Sequence, residues 1–372
     1  MSARFLTVVL ERAFNMRDGF GREIDYMRIS VIDSCNLNCY YCNPCDNNEH
    51  CHALNILSVK EVLCIVRAAT RLGIKHFRLT GGEPLLHPQL DEMVLQIKKI
   101  PGVSSVSLTT NAVLLAQHAK WLKEAGIDSI NVSLDTIDAS EYERITKKPL
   151  LEEVKHGINA AIECGIRVKI NVVLTPQTDV VALTRYASKK GTDIRFIEMM
   201  PVGEGHTNGV EPYEKVIGAL LEVYGTPCHI DTENRKEINS GYNNADNGPA
   251  EYYSFHGLDI RVGLIQAIHG KFCDTCNRIR VTADGRLMPC LGSSVTMDLV
   301  PDSWDFADDV EKDFAIVRAL RAAIKAKPRC HNFNDNAVTY TKTTETKTVE
   351  TKTTELKAAE VNAARNMSRI GG

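Results

Sequence analysis

Between residues 26 and 198 the apolar positions follow two alternating patterns. Short runs rich in Val, Ile and Leu alternate with longer stretches in which apolar residues return every three or four positions. That is the pattern of buried strands separated by amphipathic helices. The runs Tyr26 to Ile32, Ile74 to Thr80, Val103 to Thr110, Ile127 to Leu134, Ile166 to Leu174 and Asp193 to Glu198 predict six strands. A capping box, Ser58-Val59-Lys60-Glu61, opens a helix reaching about Leu72. Further helices are predicted over Pro88 to Ile100, Leu114 to Ala125, Leu151 to Cys164 and Val180 to Lys190. Gly126, Gly165 and Gly191 close the last three, where a helix end favours left-handed backbone. Strand–helix alternation of this kind implies a parallel sheet with right-handed crossovers. Six units fall short of the eight that close a barrel, which leaves a partial (β/α)6 barrel or a doubly wound sheet.

After Pro201 the rhythm stops. A polar loop opens at Gly203-Glu204-Gly205-His206, and a helix is predicted over Tyr213 to Tyr224. A Gly/Asn-rich connection, Asn239 to Pro249, leads to an antiparallel pair, Glu251 to Phe255 and Leu258 to Ile265. One more helix, Val310 to Lys325, precedes Lys327-Pro328-Arg329-Cys330-His331-Asn332-Phe333. The expected division is an α/β barrel over residues 1–200 and a smaller α+β domain over 201–333. Residues 334–364 are a near-repeat of Thr, Lys and Glu with few large apolar side chains. Such a segment buries too little surface to offset ordering entropy and is expected to act as a tether. A tail over 365–372 ends in Gly371-Gly372.

With 44% hydrophobic and 24% charged residues, the composition is that of an ordinary globular chain. The net charge of −3 offers no bulk basic field for nucleic acid. No apolar run approaches membrane-span length, and the Phe5 to Leu10 patch is too short for a signal-peptide core. A cytoplasmic protein with no membrane or nucleic-acid partner is therefore expected. Twelve Cys in such a chain point to metal or redox chemistry rather than disulfides.

Six of these Cys form two groups. Cys35, Cys39 and Cys42 are spaced C-x3-C-x2-C directly after the first strand. Cys273 and Cys276 form a C-x2-C pair, with Cys290 further on. Three thiolates can hold a four-iron cluster and leave one iron open, which makes a reactive site. Zinc is the alternative in each case. Cys45, Cys51, His50 or His52 could complete the first site, and His269 or Cys330 the second. Arg278 and Arg280 alternate along a predicted strand leaving the second group, so both can face one ligand.

Ligands of parallel α/β folds gather at the C-terminal strand ends. There lie Thr80-Gly81-Gly82-Glu83-Pro84, Thr109-Thr110-Asn111, Ser133-Leu134-Asp135 and Glu198-Met199-Met200-Pro201. The two glycines would let backbone approach a ligand, with exposed amides for a carboxylate or amine. Arg28, Arg78, Lys169 and Arg195 lie on the same strands. Inward cations are costly without a counter-anion, so a polyanion in the lumen would account for them together.

The C-x3-C-x2-C loop, with aromatic Tyr41 before its last Cys, resembles the cluster loop of radical S-adenosylmethionine (SAM) enzymes. The Gly81-Gly82-Glu83-Pro84 turn is similar to that superfamily's SAM-binding motif. Within the superfamily, Cys276-Asn277-Arg278-Ile279-Arg280 and the Ile370-Gly371-Gly372 terminus resemble the GTP 3′,8-cyclases. The resemblance implies a partial (β/α)6 barrel, two 4Fe–4S clusters and SAM. Cys35, Cys39 and Cys42 would hold the first cluster, and Cys273, Cys276 and Cys290 the second. Tyr41, Gly82, Ser133 and Met200 match SAM-contacting positions. Arg28, Arg78, Thr109, Lys169, Arg278 and Arg280 match GTP-contacting ones. Gly371 and Gly372 would reach back toward the reaction, with Arg278 and Arg280 assisting it.

The implied reaction is hydrogen abstraction from C3′ of GTP and closure onto C8, the first step of molybdopterin synthesis. A flavodoxin- or ferredoxin-like donor, a downstream cyclic pyranopterin monophosphate synthase and a homodimer complete the expectation. Ala112 stands where the family usually has Gly, and Asn43-Pro44-Cys45 departs from its usual Met-Pro. The rival readings are a radical SAM peptide-modifying enzyme with an auxiliary cluster and a zinc-stapled nucleic-acid module.

Overall fold

The computed structural model describes residues 16–42, 55–202, 210–230, 248–293, 295–299, 309–331 and 333. Six strands lie side by side in chain order: β1 (Tyr26–Ser30), β2 (His76–Thr80), β3 (Ser105–Thr110), β4 (Ser129–Ser133), β5 (Arg167–Val173) and β6 (Asp193–Ile197). Every neighbouring pair is parallel. Alternate residues explain the arrangement. Met27, Ile29, Phe77, Leu79, Val106, Leu108, Ile130, Val132, Ile170, Ile194 and Phe196 are fully buried. On a strand of period two, the intervening Tyr26, Arg28, Arg78, Thr80, Thr109, Asn131, Asn171 and Arg195 share the other face. One face is therefore apolar and covered by helices, while the other is polar and lines a lumen.

The covering helices are α1 (Val59–Thr70), α2 (Leu90–Lys98), α3 (Leu115–Glu124), α4 (Ala139–Thr146), α5 (Leu151–Glu163) and α6 (Val180–Lys189). The Ser58–Glu61 capping box is formed in both directions. Gly126, Gly165 and Gly191 take φ of +88°, +68° and +61°, as helix ends require. α4 was not predicted. It is a short amphipathic helix of eight residues, about two turns, N-capped by Asp138 and burying Tyr142 and Ile145.

The later strands are β7 (Cys228–Ile230), β8 (Glu251–Ser254), β9 (Val262–Ile265), β10 (Arg278–Val281), β11 (Arg286–Met288) and β12 (Met297–Asp298). The helices are α7 (Pro212–Tyr224) and α8 (Asp309–Lys325). β8 and β9 form the expected antiparallel pair. Hydropathy did not reveal that β9 adds parallel to β6 and β10 parallel to β1. Among the described residues one sheet of twelve strands results, in the order β12-β11-β10-β1-β2-β3-β4-β5-β6-β9-β8-β7. Both edges of the partial barrel are thus paired from the C-terminal half, satisfying backbone groups that edges leave open. Among the described residues, no helix is long and apolar enough to cross a membrane.

Candidate active site

The first cysteine loop leaves the C-terminal end of β1 and is pinned from two sides. Asn38 and Tyr40 donate backbone N–H groups to Thr146 O (3.0 Å) and Ile145 O (3.1 Å) at the end of α4. Tyr41 donates its hydroxyl to Asp135 Oδ2 at 2.6 Å, and Asp135 Oδ1 accepts from Val173 N at 2.8 Å. Burial pushes the Asp135 carboxyl up to about 6. It also pushes the Cys35 thiol up to about 12 and Cys42 to about 11, and holds Cys39 well above its ordinary value. Thiols so placed become thiolates when a metal supplies the missing positive charge.

The turn after β2 packs directly on this loop. Gly82 and Glu83 donate N–H groups to Ile32 O and Ser34 O, both at 2.7 Å. A Cβ on Gly81 would lie 2.4 Å from Ile32 O, and one on Gly82 would lie 2.2 Å from Ser34 O. The expectation that the Gly82 amide is exposed for a ligand is therefore corrected. The glycines are required because the cluster loop's own backbone crosses there, and the crossing consumes that amide. Glu83 is buried and accepts from Thr110 Oγ1 (2.7 Å), Leu85 N (3.0 Å) and Asn111 N (2.7 Å). Asn111 in turn donates to Asn36 Oδ1 at 2.7 Å, and its amide lies 3.8 Å from Cys35 Sγ. Burial holds the Glu83 carboxyl at about 7.

From this rim a cavity of about 320 Å³ runs down the lumen. Tyr41, Gly82, Ser133, Met200, Arg28, Arg78, Thr109, Arg278 and Arg280 all line it, as do the six grouped cysteines. Lys169 is the exception. It is 1% exposed and belongs to the same strand face, one step below the lining residue Asn171. Arg280, Arg28 and Arg78 stand side by side across β10, β1 and β2. Burial lowers the pKa of all of Arg28, Arg195, Arg278 and Arg280, the last to about 10. Burial opposes ionisation of the Tyr26 phenol, yet Arg78, Arg278 and Arg28 around it bring it down to about 8. Arg195 Nη2, Arg280 Nη1 and Asn131 Oδ1 are buried with no hydrogen-bond partner in the protein. A lumen of crowded cations with unused donors fits an anionic ligand.

The second cysteine group closes the opposite end. Cys273 and Cys276 precede β10, which runs parallel to β1, so they stand at the N-terminal end of the sheet. Cys290 follows antiparallel β11 and reaches the same end. A parallel sheet alone points to its C-terminal mouth, but the cavity reaches both ends because the lumen carries polar rather than packed apolar side chains. Burial pushes the Cys276 thiol up, yet Lys327 and Arg278 bring it below its ordinary value. Glu198, at the end of β6, accepts from Ile268 N (2.7 Å), His269 N (3.1 Å) and His269 Nδ1. It thereby anchors the loop leading to Cys273. Sequence reasoning did not assign roles to Asp135, Glu83, Glu198 or Lys327. The strand-end clusters held Asp135, Glu83 and Glu198, while Lys327 carried no signal beyond following a helix. Gly371, Gly372, Cys45, Cys51 and the tether lie outside the described residues.

A partial parallel barrel with a three-cysteine loop after its first strand and a glycine pair after its second defines a radical SAM enzyme. Residues 29–184 match the Radical SAM superfamily, and residues 192–333 match Molybdenum Cofactor Synthesis C. The chain belongs to the GTP 3′,8-cyclase family. It is 36% identical over 322 residues to the GTP 3′,8-cyclase of Clostridium perfringens strain SM101, covering 86% of this chain and 95% of that one. It is 38% identical to the Moorella thermoacetica enzyme of the same name, over 86% of this chain and 96% of that one. Solved structures share the fold. Streptococcus suis SuiB bound to S-adenosylmethionine gives a TM-score of 0.53 at 15% identity, over 80% of this chain and 65% of that one. Native anSMEcpe with bound AdoMet gives 0.52 at 16%, over 92% and 99%.

Proposed function

We propose that this chain converts GTP to (8S)-3′,8-cyclo-7,8-dihydroguanosine 5′-triphosphate, the first step of molybdopterin synthesis. One observation carries the proposal: two three-cysteine groups at opposite ends of a single cavity whose walls between them are arginine-rich. Cys35, Cys39 and Cys42 would hold one 4Fe–4S cluster, and Cys273, Cys276 and Cys290 the other. When bound, SAM and the first cluster supply a radical able to take the C3′ hydrogen of GTP.

The chain's own residues supply position. Tyr41, fixed by Asp135, and Gly82, Ser133 and Met200 surround the SAM position at the C-terminal mouth. Arg28, Arg78, Thr109 and Lys169 hold the triphosphate, with Arg195 beside them. Arg278 and Arg280 lie between the triphosphate position and the second cysteine group, where the guanine would bind. Holding ribose and base at two fixed ends makes closure between C3′ and C8 intramolecular. Gly371 and Gly372 would complete the site from the tail. A flavodoxin- or ferredoxin-like donor, consumption of the product by a cyclic pyranopterin monophosphate synthase, a homodimer and a cytoplasmic location belong to the same proposal.

The test is anaerobic enzyme given SAM, reductant and GTP deuterated at C3′. Deuterium recovered in 5′-deoxyadenosine, with a cyclised triphosphate by mass spectrometry, is expected. Zinc in place of iron, or unlabelled 5′-deoxyadenosine, would overturn the proposal. The Molybdenum Cofactor Synthesis C match over residues 192–333 and the cyclase relatives favour this reading over the peptide-modifying alternative.

A further inference from the structure

Lys327 is 3% exposed and stands just beyond the last turn of α8. Its Nζ donates to Arg278 O at 2.8 Å and to Pro289 O at 3.0 Å. Arg278 is two residues beyond Cys276, and Pro289 immediately precedes Cys290. One ammonium therefore ties the β10 end carrying Cys276 to the β11 end carrying Cys290. The same ammonium faces the Cys276 thiol, and with Arg278 it brings that thiol below its ordinary value.

The position of Lys327 is itself over-determined. Arg22 donates to Pro328 O (2.6 Å) and Arg329 O (2.9 Å), the two carbonyls that follow it. The same guanidinium donates to Cys273 O at 2.6 Å and pairs with Asp18 Oδ2 at 2.6 Å. On the other side, Arg71 Nη2 meets Asp313 Oδ2 at 2.8 Å and docks α8 against α1. Thus both cations reach the second cysteine group from outside its own hairpin, one from each end of the chain. Two carbonyl dipoles do not by themselves offset a buried ammonium. Thiolates at the cysteines, formed when they hold a cluster, would.

We propose that Lys327 is a positioning residue for the second cysteine group, fixing the spacing of Cys276 and Cys290 and keeping a positive charge against the cluster they hold. This rests on the assignment of a cluster to Cys273, Cys276 and Cys290 above. A cation at a ligand sulfur favours the reduced, more negative cluster, so it raises the reduction potential. Arg22 supports it by holding Cys273 and the backbone after Lys327.

The experiment uses the full chain, reconstituted anaerobically, with Lys327→Gln, Lys327→Met and Lys327→Arg. Iron is counted, and each cluster's potential is read by an EPR-monitored redox titration. The parent is expected to hold about eight iron atoms. Lys327→Gln keeps a donor but removes the charge, and should hold that iron with the second potential made more negative. Lys327→Met should also lose the second cluster, leaving about four iron atoms. Lys327→Arg should return the potential toward the parent's. GTP turnover should fall by about tenfold or more in the Gln and Met variants. The first cluster's potential should not move in any of them. Parent iron and parent potentials in both the Met and Gln variants would overturn the proposal, and so would equal shifts in both clusters. A parent with only one cluster would instead refute the assignment of the second cysteine group.

Discussion

Lys169 is a long cation held almost wholly out of water on β5. Burial first, then Arg195, Arg167 and Arg78, bring its pKa from the ordinary 10.5 down to about 5. A folded value below the unfolded one means the folded chain resists taking the proton. The associated stability is full above the unfolded value and is lost as pH falls through the folded one. Lys169→Met removes that penalty. Its thermal midpoint without GTP should exceed the parent's by a margin that widens as pH is lowered from about 10 toward 6, while GTP protection disappears. A margin constant with pH would count against this account. Ala112 shows the opposite economy. Its φ of 64° is left-handed, a strain of about 1 kcal/mol for a residue with a Cβ. The Gly usual in the family at this position would relieve it.

Two elements govern the first cysteine loop. α4 holds it through the carbonyls of Ile145 and Thr146, and Asp138 caps that helix by accepting from Glu141 N at 2.8 Å. Asp138→Ala should weaken this helix and act locally. Iron of the first group should pass to a chelator faster than in the parent, and iron of the second at the parent rate. Equal acceleration at both groups would contradict this. The turn after β2 is the other support. Gly82→Ala places a Cβ against the backbone oxygens of Ser34 and Asp33, at 2.2 and 2.5 Å, which no rotamer change relieves. Overpacking of this kind costs about 1–3 kcal/mol. The variant should lose 5′-deoxyadenosine production, and parent-level production would show that the loop can shift freely.

The whole molecule sets the two cysteine groups at opposite ends of one lumen, because β10 joins the sheet parallel to β1 and carries Cys276 at its start. The two ends should therefore fail differently. Cys39→Ser should abolish SAM cleavage and GTP cyclisation together. Cys273→Ser should spare most of the SAM cleavage that runs without GTP turnover and lose the cyclised product. Measuring both products in both variants checks this, and equal losses in Cys273→Ser would make the second group structural.

Local chemistry alone determined a good deal. Period-two and period-3.6 patterns marked the six strands and seven of the eight helices described, since burying one face is a local property of each element. Cysteine spacing marked both groups, because ligands close in sequence need little help from the fold. What followed from long-range contact was not legible. Short α4 has too few apolar positions to stand out, and its place depends on the loop it holds. The Gly82 amide could be assigned only once the crossing of the cluster loop was known. Lys327 and Arg22 carry no pattern of their own; their partners are carbonyls separated from them by 49, 38 and 251 residues. Backbone carbonyls look alike at every position of a sequence, so only the tertiary structure decides which of them a buried cation meets.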